Sequence, residues 1–390
     1  MSCIPRSEFS RIISRLSLVV VVFLSIVLGA CGGGLASSKS TTPTPTAPGS
    51  PSPAGPTPMP LGTVDVVSGP SAVCATGYLT NAECTEVTVT CPDTAAIDVT
   101  YGITEPAGSL KGTIFLFSGG HGTKPYTDGV DSPDAYVNAG YRVVQWAWNT
   151  PWEDNGLSTK NIKDAACRGA TLMNYIRQNV LGAPATTEAT CAQGYSAGSA
   201  AVGYALAWYG ASDYLDKVEL ISGPVLSDIA KGCVVPRAAP ITVCGAGQLG
   251  CDGPSFVDGP YYVKGAISLV QSWTGDPSCQ GGKPTSSQSY SNWKAMSIVD
   301  GTKNALFSYP NTALAGWVCN DGANNSAAQG EYFYQQFTSA SQTAAYSLTP
   351  VSNCYGAEDI DVGQTPSGQN GGQALITDML DSRVGCVRRH

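Results

Sequence analysis

The sequence predicts an α/β protein with a mostly parallel central sheet, helices on both of its faces and a disulfide-rich, cap-like insertion. Three observations lead there. Strand-like and helix-like stretches alternate from residue 113 to residue 384, at lengths that suit parallel strands joined by helices. Residues 113–117, Thr-Ile-Phe-Leu-Phe, form a continuous apolar run whose two faces both need cover, as in a central parallel strand. Finally, Gly194-Tyr195-Ser196-Ala197-Gly198 lies between a β-leaning run, 188–193, and a small-residue helical run, 200–209, where a strand turns sharply into a helix.

The chain opens with a targeting segment. Arg6, Arg11 and Arg15 precede an apolar stretch, 16–28, that is too short for a comfortable membrane span. It closes on Leu28-Gly29-Ala30-Cys31, which resembles the lipobox of bacterial lipoproteins. That resemblance implies a signal peptide over residues 1–30, cleavage before Cys31 and a lipid anchor on its thiol. It implies a place in the bacterial cell envelope, facing the periplasm or the outside, and, where that envelope is Gram-negative, Gly32 rather than Asp after the cysteine implies export to the outer membrane. Residues 31–60 are rich in Gly, Ser, Thr and Pro, cannot bury enough surface to fold, and read as a tether. The folded domain is expected at 61–390.

Within it, residues 61–101 alternate in short β-like runs such as Glu86-Val87-Thr88-Val89-Thr90, an antiparallel entry to the sheet pinned by disulfides. After the strand at 113–117 comes the turn Ser118-Gly119-Gly120-His121-Gly122, then a short helix at 132–139 and a strand at 142–148. Ala166, Ala170, Met173, Ile176 and Val180 fall at helical spacing in 163–180, behind a cap near Asn161. Residues 217–222 read as the strand that follows the helix at 200–209. The rhythm breaks over 232–304, which holds four cysteines, much Gly, Pro and Ser, and one expected helix at 262–273; this is the insertion over the functional face. Regularity resumes with a strand at 312–318, a helix at 329–337, a strand at 344–350 and a last helix at 372–384.

Composition bounds the function. The chain of 390 residues is 43% hydrophobic, enough for a sizeable core, and its net charge of −8 argues against nucleic acid and against electrostatic attachment to a membrane. Only 13% of residues are charged, in keeping with an extracytoplasmic protein. Of the 14 cysteines, Cys3 leaves with the leader and Cys31 takes the lipid, so an even number remains and reads as disulfides. No structural metal is expected, since the chain has no Cys-x-x-Cys pair and only two histidines.

A serine hydroxyl becomes a nucleophile only when it is exposed, faced by a base and close to donors for the oxyanion it creates. The turn at 194–198 gives exposure, its glycines let strand and helix cross closely, and the helix starting at the serine aims backbone N–H groups at developing charge. The elbow, the Gly-Gly-His-Gly turn and the strand–helix order together make residues 61–386 resemble an α/β-hydrolase. The resemblance implies Ser196 as nucleophile and Asp321, just past the strand after the insertion, as the acid. It implies an oxyanion hole from the Ala197 N–H and the turn bearing Gly119, Gly120 and Gly122, and it calls for no cofactor. Trp148 and Trp152, at and just past a strand's carboxyl end, and Tyr195, inside the elbow, are expected to border the substrate.

The base departs from this pattern. The family's histidine is expected after the last strand, in a stretch such as Gly-Ala-Glu-His, but the matching residues are Gly356-Ala357-Glu358-Asp359. Asp359 stands where the imidazole belongs, and without a base Ser196 keeps its proton. Three alternatives are open: His121 on the oxyanion turn is the base; His390, tethered through Cys386, is the base; or no triad operates. Two functions follow. One is an extracytoplasmic, lipid-anchored serine hydrolase that cleaves small-molecule, lipid or polyester esters through an acyl-enzyme on Ser196. The other is a non-catalytic surface lipoprotein of the same fold that binds a ligand or partner.

Overall fold

The computed structural model describes residues 56–71, 73–126, 132–154, 161–182, 187–230, 287–299, 306–319, 325–337, 342–354 and 360–390. The chain divides into two units, Met1–Ser52 and Pro53–His390, the first of which lies outside the described residues. The leader, Cys31, the cysteines of 232–304, the helix expected at 262–273, Asp321 and Asp359 also lie outside them.

Side-chain alternation explains the first strands. In β2 (Glu83–Thr90) Val87 and Val89 are buried while Glu83 and Thr90 face solvent, and in β3 (Ile97–Thr104) Ile97, Val99 and Tyr101 point inward. The strand β1 (Thr63–Ser71) is exposed along most of its length, as suits a sheet edge. β1 pairs with β2, and β2 with β3, both antiparallel. This is the entry expected from residues 61–101.

The remaining strands are β4 (Gly112–Phe117), β5 (Tyr141–Trp148), β6 (Ala189–Tyr195), β7 (Lys217–Ile221), β8 (Tyr309–Cys319) and β9 (Thr343–Val351). They complete one sheet in the order β1-β2-β3-β5-β4-β6-β7-β8-β9, parallel throughout from β5 to β9. Every residue of β4 is buried. Phe115 and Phe117 enter one hydrophobic core with α2 (Ile162–Tyr175) and α3 (Ala197–Tyr209). Ile114 and Leu116 enter a second core with α1 (Ser132–Asn138) and the carboxyl-terminal helix (Gly371–Leu380). Cover on both faces is what the apolar run at 113–117 required.

Four elements differ from expectation. A helix α4 (Ser287–Met296) lies inside the stretch read as an insertion. Trp293 is fully buried, Tyr204 Oη donates to the Met296 carbonyl at 2.6 Å and Trp208 Nε1 donates to the Ile298 carbonyl at 3.0 Å, so 287–299 belongs to the helical layer over α3. Sparse polar and glycine-rich surroundings hide this short apolar contact in the sequence. The helix behind Asn161, whose Oδ1 accepts from the Lys163 amide at 3.0 Å, is α-helical only to Tyr175 and ends in a π-turn over Ile176–Val180. The helix that follows β8 is α5 (Asn325–Tyr334), and the last helix, α6, stops at Leu380 rather than at 384. There Asp381 turns extended and its Oδ1 takes the amides of Arg383 and Val384 at 2.7 and 3.1 Å, which competes with another helical turn.

Disulfides among the described residues join Cys74 to Cys84, Cys91 to Cys167, Cys191 to Cys386 and Cys319 to Cys354. The third fastens the tail to a central strand.

A buried polar chain crosses the α6 face of the sheet. Gln193 Nε2 donates to Tyr136 Oη at 2.8 Å and to Glu219 Oε2 at 2.6 Å, while Lys217 Nζ donates to Asp378 Oδ2 at 2.7 Å. Burial first, and then the Asp378 charge, push the Glu219 carboxyl well above its ordinary range, with Lys217 pulling the other way. A raised acid binds its proton more tightly in the folded chain, so the stability it contributes is complete below the ordinary carboxyl pKa and is lost as pH rises toward and through the raised one. Glu219→Gln keeps the shape and the neutral charge. Its stability is expected to fall less than that of the wild type as pH rises above the ordinary carboxyl range, read by denaturant unfolding. Parallel curves for the two proteins would place the carboxyl in its ordinary ionised form.

Candidate active site

The turn from β6 into α3 is built by close backbone approach. Ser196 sits at φ +51° and ψ −115°, a conformation that side-chain-bearing residues seldom adopt. Its amide donates to the Ile221 carbonyl at 2.8 Å, which ties the turn to the end of β7, and its own carbonyl accepts from the Ala200 amide at 3.2 Å. A Cβ on Gly194 would stand 2.6 Å from the Gly198 carbonyl oxygen. A Cβ on Gly198 would fall on the Phe117 carbonyl oxygen and stand 2.6 Å from that of Ser118. Both glycines are therefore required by contact between backbones, and the serine between them is held in its turn at 8% exposure, less open than the sequence suggests. The first-turn amides of α3, beginning with Ala197, have no intrahelical acceptor and point back at this position.

Beside the elbow lies the turn after β4. Phe117 pairs with Gly194 across the parallel ladder, so Ser118 to Gly122 emerge next to Ser196 at the carboxyl end of the sheet. Gly120 and Gly122 adopt φ +58° and +68°. The Gly122 carbonyl accepts from the Trp148 amide at 2.9 Å and the His121 carbonyl from the Trp152 amide at 3.2 Å, which fastens the turn to the end of β5. Trp148 and Trp152, each 4% exposed, form its floor. With Phe117, Ser118 and Gly198 they line a cavity of about 10 Å³, room for one water rather than an acyl chain.

His121 carries the second feature. Its Nδ1 pairs with Glu153 Oε1, and the imidazole is 59% exposed while the carboxylate is 2% exposed. Burial raises the Glu153 pKa, and the hydrogen bond from His121 opposes the rise. From below, the buried guanidinium of Arg168 on α2 holds the same loop: Nη1 donates to the Trp152 and Asp154 carbonyls at 2.7 and 2.6 Å, and Nη2 to the Ala95 carbonyl at 2.7 Å. Its pKa is lowered by burial to about 10, against the attraction of Asp154 and Glu153.

A mostly parallel sheet in this order, with a left-handed serine between a central strand and the helix that follows it, decides the architecture. The chain has an α/β-hydrolase fold.

No family model matches the sequence, and no curated protein matches it. Among solved structures, the hydrolase fold is similar to an acetyl xylan esterase from a Paenibacillus species, at 13% identity and a TM-score of 0.45, over 77% of this chain and 84% of that one. It is similar also to acetyl xylan esterase 1 from a Thermoanaerobacterium species, at 13% identity and a TM-score of 0.43, over 74% and 81%. A thermostable carboxyl esterase from Bacillus coagulans aligns at 14% identity and a TM-score of 0.38, over 68% and 90%.

Of the residues singled out in the sequence, the fold brings Ser196, Ala197, Gly119, Gly120, His121 and Gly122 to the carboxyl ends of adjacent strands. Tyr195 turns into the core on the α6 side and is 7% exposed. His390 is elsewhere. Its Nε2 pairs with the Leu215 carbonyl at 3.2 Å and its amide donates to Asp216 Oδ1 at 3.2 Å, just before β7 begins. The Cys386 tether thus draws the tail to the amino-terminal ends of the strands, the opposite edge of the hydrolase fold, and the base role entertained for His390 is overturned. Glu153 was not anticipated. Its one sequence signal is an acidic residue directly after a buried tryptophan, just past a strand's carboxyl end.

Proposed function

We propose that this chain is a serine hydrolase acting on carboxylic esters outside the cytoplasm, anchored by a lipid on Cys31. The observation that carries the reading is the strained backbone of Ser196, held at φ +51° where Gly198 packs against the Phe117 and Ser118 carbonyls. Strain of this kind persists only where surrounding structure enforces it, and it gathers at sites that use it. Ser196 Oγ attacks the ester carbonyl carbon as its proton passes to His121, and the alcohol departs with that proton. Water, deprotonated by the same imidazole, then cleaves the acyl-enzyme and restores the hydroxyl. The oxyanion faces the Ala197 N–H and the turn bearing Gly119, Gly120 and Gly122, where each donor contributes about 3 kcal/mol to the transition state. No cofactor enters this chemistry. The lipobox-like Leu28-Gly29-Ala30-Cys31 and the tether behind it support the anchor, and the substrate class is a small-molecule, lipid or polyester ester.

A second reading, a non-catalytic surface lipoprotein that binds a ligand or partner, is favoured by Asp359 in the family's histidine position. A fluorophosphonate probe separates the two. The wild type is expected to be labelled and Ser196→Ala to stay blank; an unlabelled wild type would transfer the case to the binding reading.

A further inference from the structure

We propose that Glu153 is the carboxylate that orients the base, so that the proton relay runs Ser196–His121–Glu153, with the histidine and its acid preceding the nucleophile in the chain. The inference rests on the hydrolase reading of Ser196 and adds the residue that makes His121 serviceable.

Topology brings the three residues to one edge of the sheet. The ladder runs β5-β4-β6, so Glu153 follows β5, His121 follows β4 and Ser196 follows β6, all at the carboxyl ends of three adjacent parallel strands. The pairing then fixes the chemistry of the ring. A neutral imidazole carries one proton, and a carboxylate on Nδ1 holds that proton there, which leaves the lone pair on Nε2. That is the tautomer a general base needs, and its ring is half open to solvent while its partner is sealed away.

The backbone holds the geometry at both ends. The His121 carbonyl accepts from the Trp152 amide, one residue before Glu153, and Arg168 grips the carbonyls on either side of the acid. Glu153 Oε2 makes no hydrogen bond among the described residues. A buried carboxylate is an expensive means of tying down a loop that already has backbone bonds, since desolvation costs several kcal/mol unless partners offset it. It is the suitable means of holding an imidazole and stabilising it once it is protonated. During acylation Nε2 takes the Ser196 proton, Oγ bonds to the acyl carbon, and the resulting imidazolium sits on Glu153; the proton then leaves on the alcohol. Glu153 keeps its charge throughout and acts as a positioning residue.

The test is Glu153→Gln, assayed with p-nitrophenyl acetate and with a fluorophosphonate beside the wild type and Ser196→Ala. Glutamine presents the wrong group to Nδ1, so kcat is expected to fall about 10³- to 10⁴-fold with KM changed less than about threefold. Glu153→Asp is expected to recover part of the loss. A purely structural clasp would raise KM or lower thermal stability and leave kcat in place, and that outcome overturns the proposal. The ring itself gives a second readout, since the chain has only two histidines. In the wild type, ¹⁵N spectra are expected to place the neutral His121 proton on Nδ1; a proton on Nε2 overturns the relay even if the glutamine variant does not fold. Wild type that reacts with the probe alongside an equally reactive Glu153→Gln rejects the role of Glu153 alone. Wild type that never reacts rejects the hydrolase reading beneath it.

Discussion

Ser196→Gly is expected to be more stable than Ser196→Ala by about 1 kcal/mol, while both lose at least about 10³-fold in esterase rate. The two substitutions remove the same oxygen, so they lose the same nucleophile. They differ in the backbone. At φ +51° and ψ −115° alanine inherits the steric conflict of the serine, whereas glycine has none. Glycine also enlarges the unfolded ensemble, which returns part of the gain and holds the net difference near that figure. Denaturant unfolding of the two variants measures the strain directly, and p-nitrophenyl ester hydrolysis measures the chemistry. An alanine variant more stable than the glycine variant would mean that the elbow is relaxed, and the argument that strain marks the site would fall with it.

Gly198→Ala is expected to cost about 3 kcal/mol or more, among the largest losses available to a single added methyl group. The new Cβ meets the Phe117 and Ser118 carbonyls, which are backbone atoms at the end of β4. They cannot retreat easily, because β4 is hydrogen-bonded to β5 on one side and β6 on the other. Gly120→Ala is the control. Its Cβ would meet nothing within 4 Å, so only the left-handed φ of +58° opposes it, at a cost of about 1 kcal/mol. Equilibrium unfolding of both variants would show the separation, and a Gly198→Ala loss no greater than that of Gly120→Ala would contradict the close crossing of helix and strand.

The parts of this architecture that could be read from the chain are those imposed by backbone requirements or by burial on both faces. The 113–117 run became β4 because four of its five residues are large and apolar and fall on both faces, and the elbow was recognisable because two glycines flank a serine where only glycines fit. Entry strands, caps and helix order were legible for similar local reasons. Helix α4 was not, because what ties it to the core is Tyr204 and Trp208 of α3 meeting the Met296 and Ile298 carbonyls, contacts that span some 90 residues of sequence. The acid of the relay was invisible for the same reason. Nothing near Glu153 in the sequence announces His121; the two meet only because β4 and β5 are neighbours and end together. Order along the chain pointed instead to Asp321, which lies outside the described residues.

The fastening of the tail to β6 has a practical consequence for anyone handling this protein. Arg389 and His390 donate their amides to Asp216, a carboxylate with no solvent exposure, and Arg388 Nη1 pairs with it at 3.4 Å, so the final residues stabilise a charge sealed at the amino-terminal edge of the sheet. A purification tag fused after His390 has to leave from that crowded spot, and expression in a reducing cytosol would free Cys386 and leave the Asp216 charge less well matched. Refolding buffers should favour oxidised thiols.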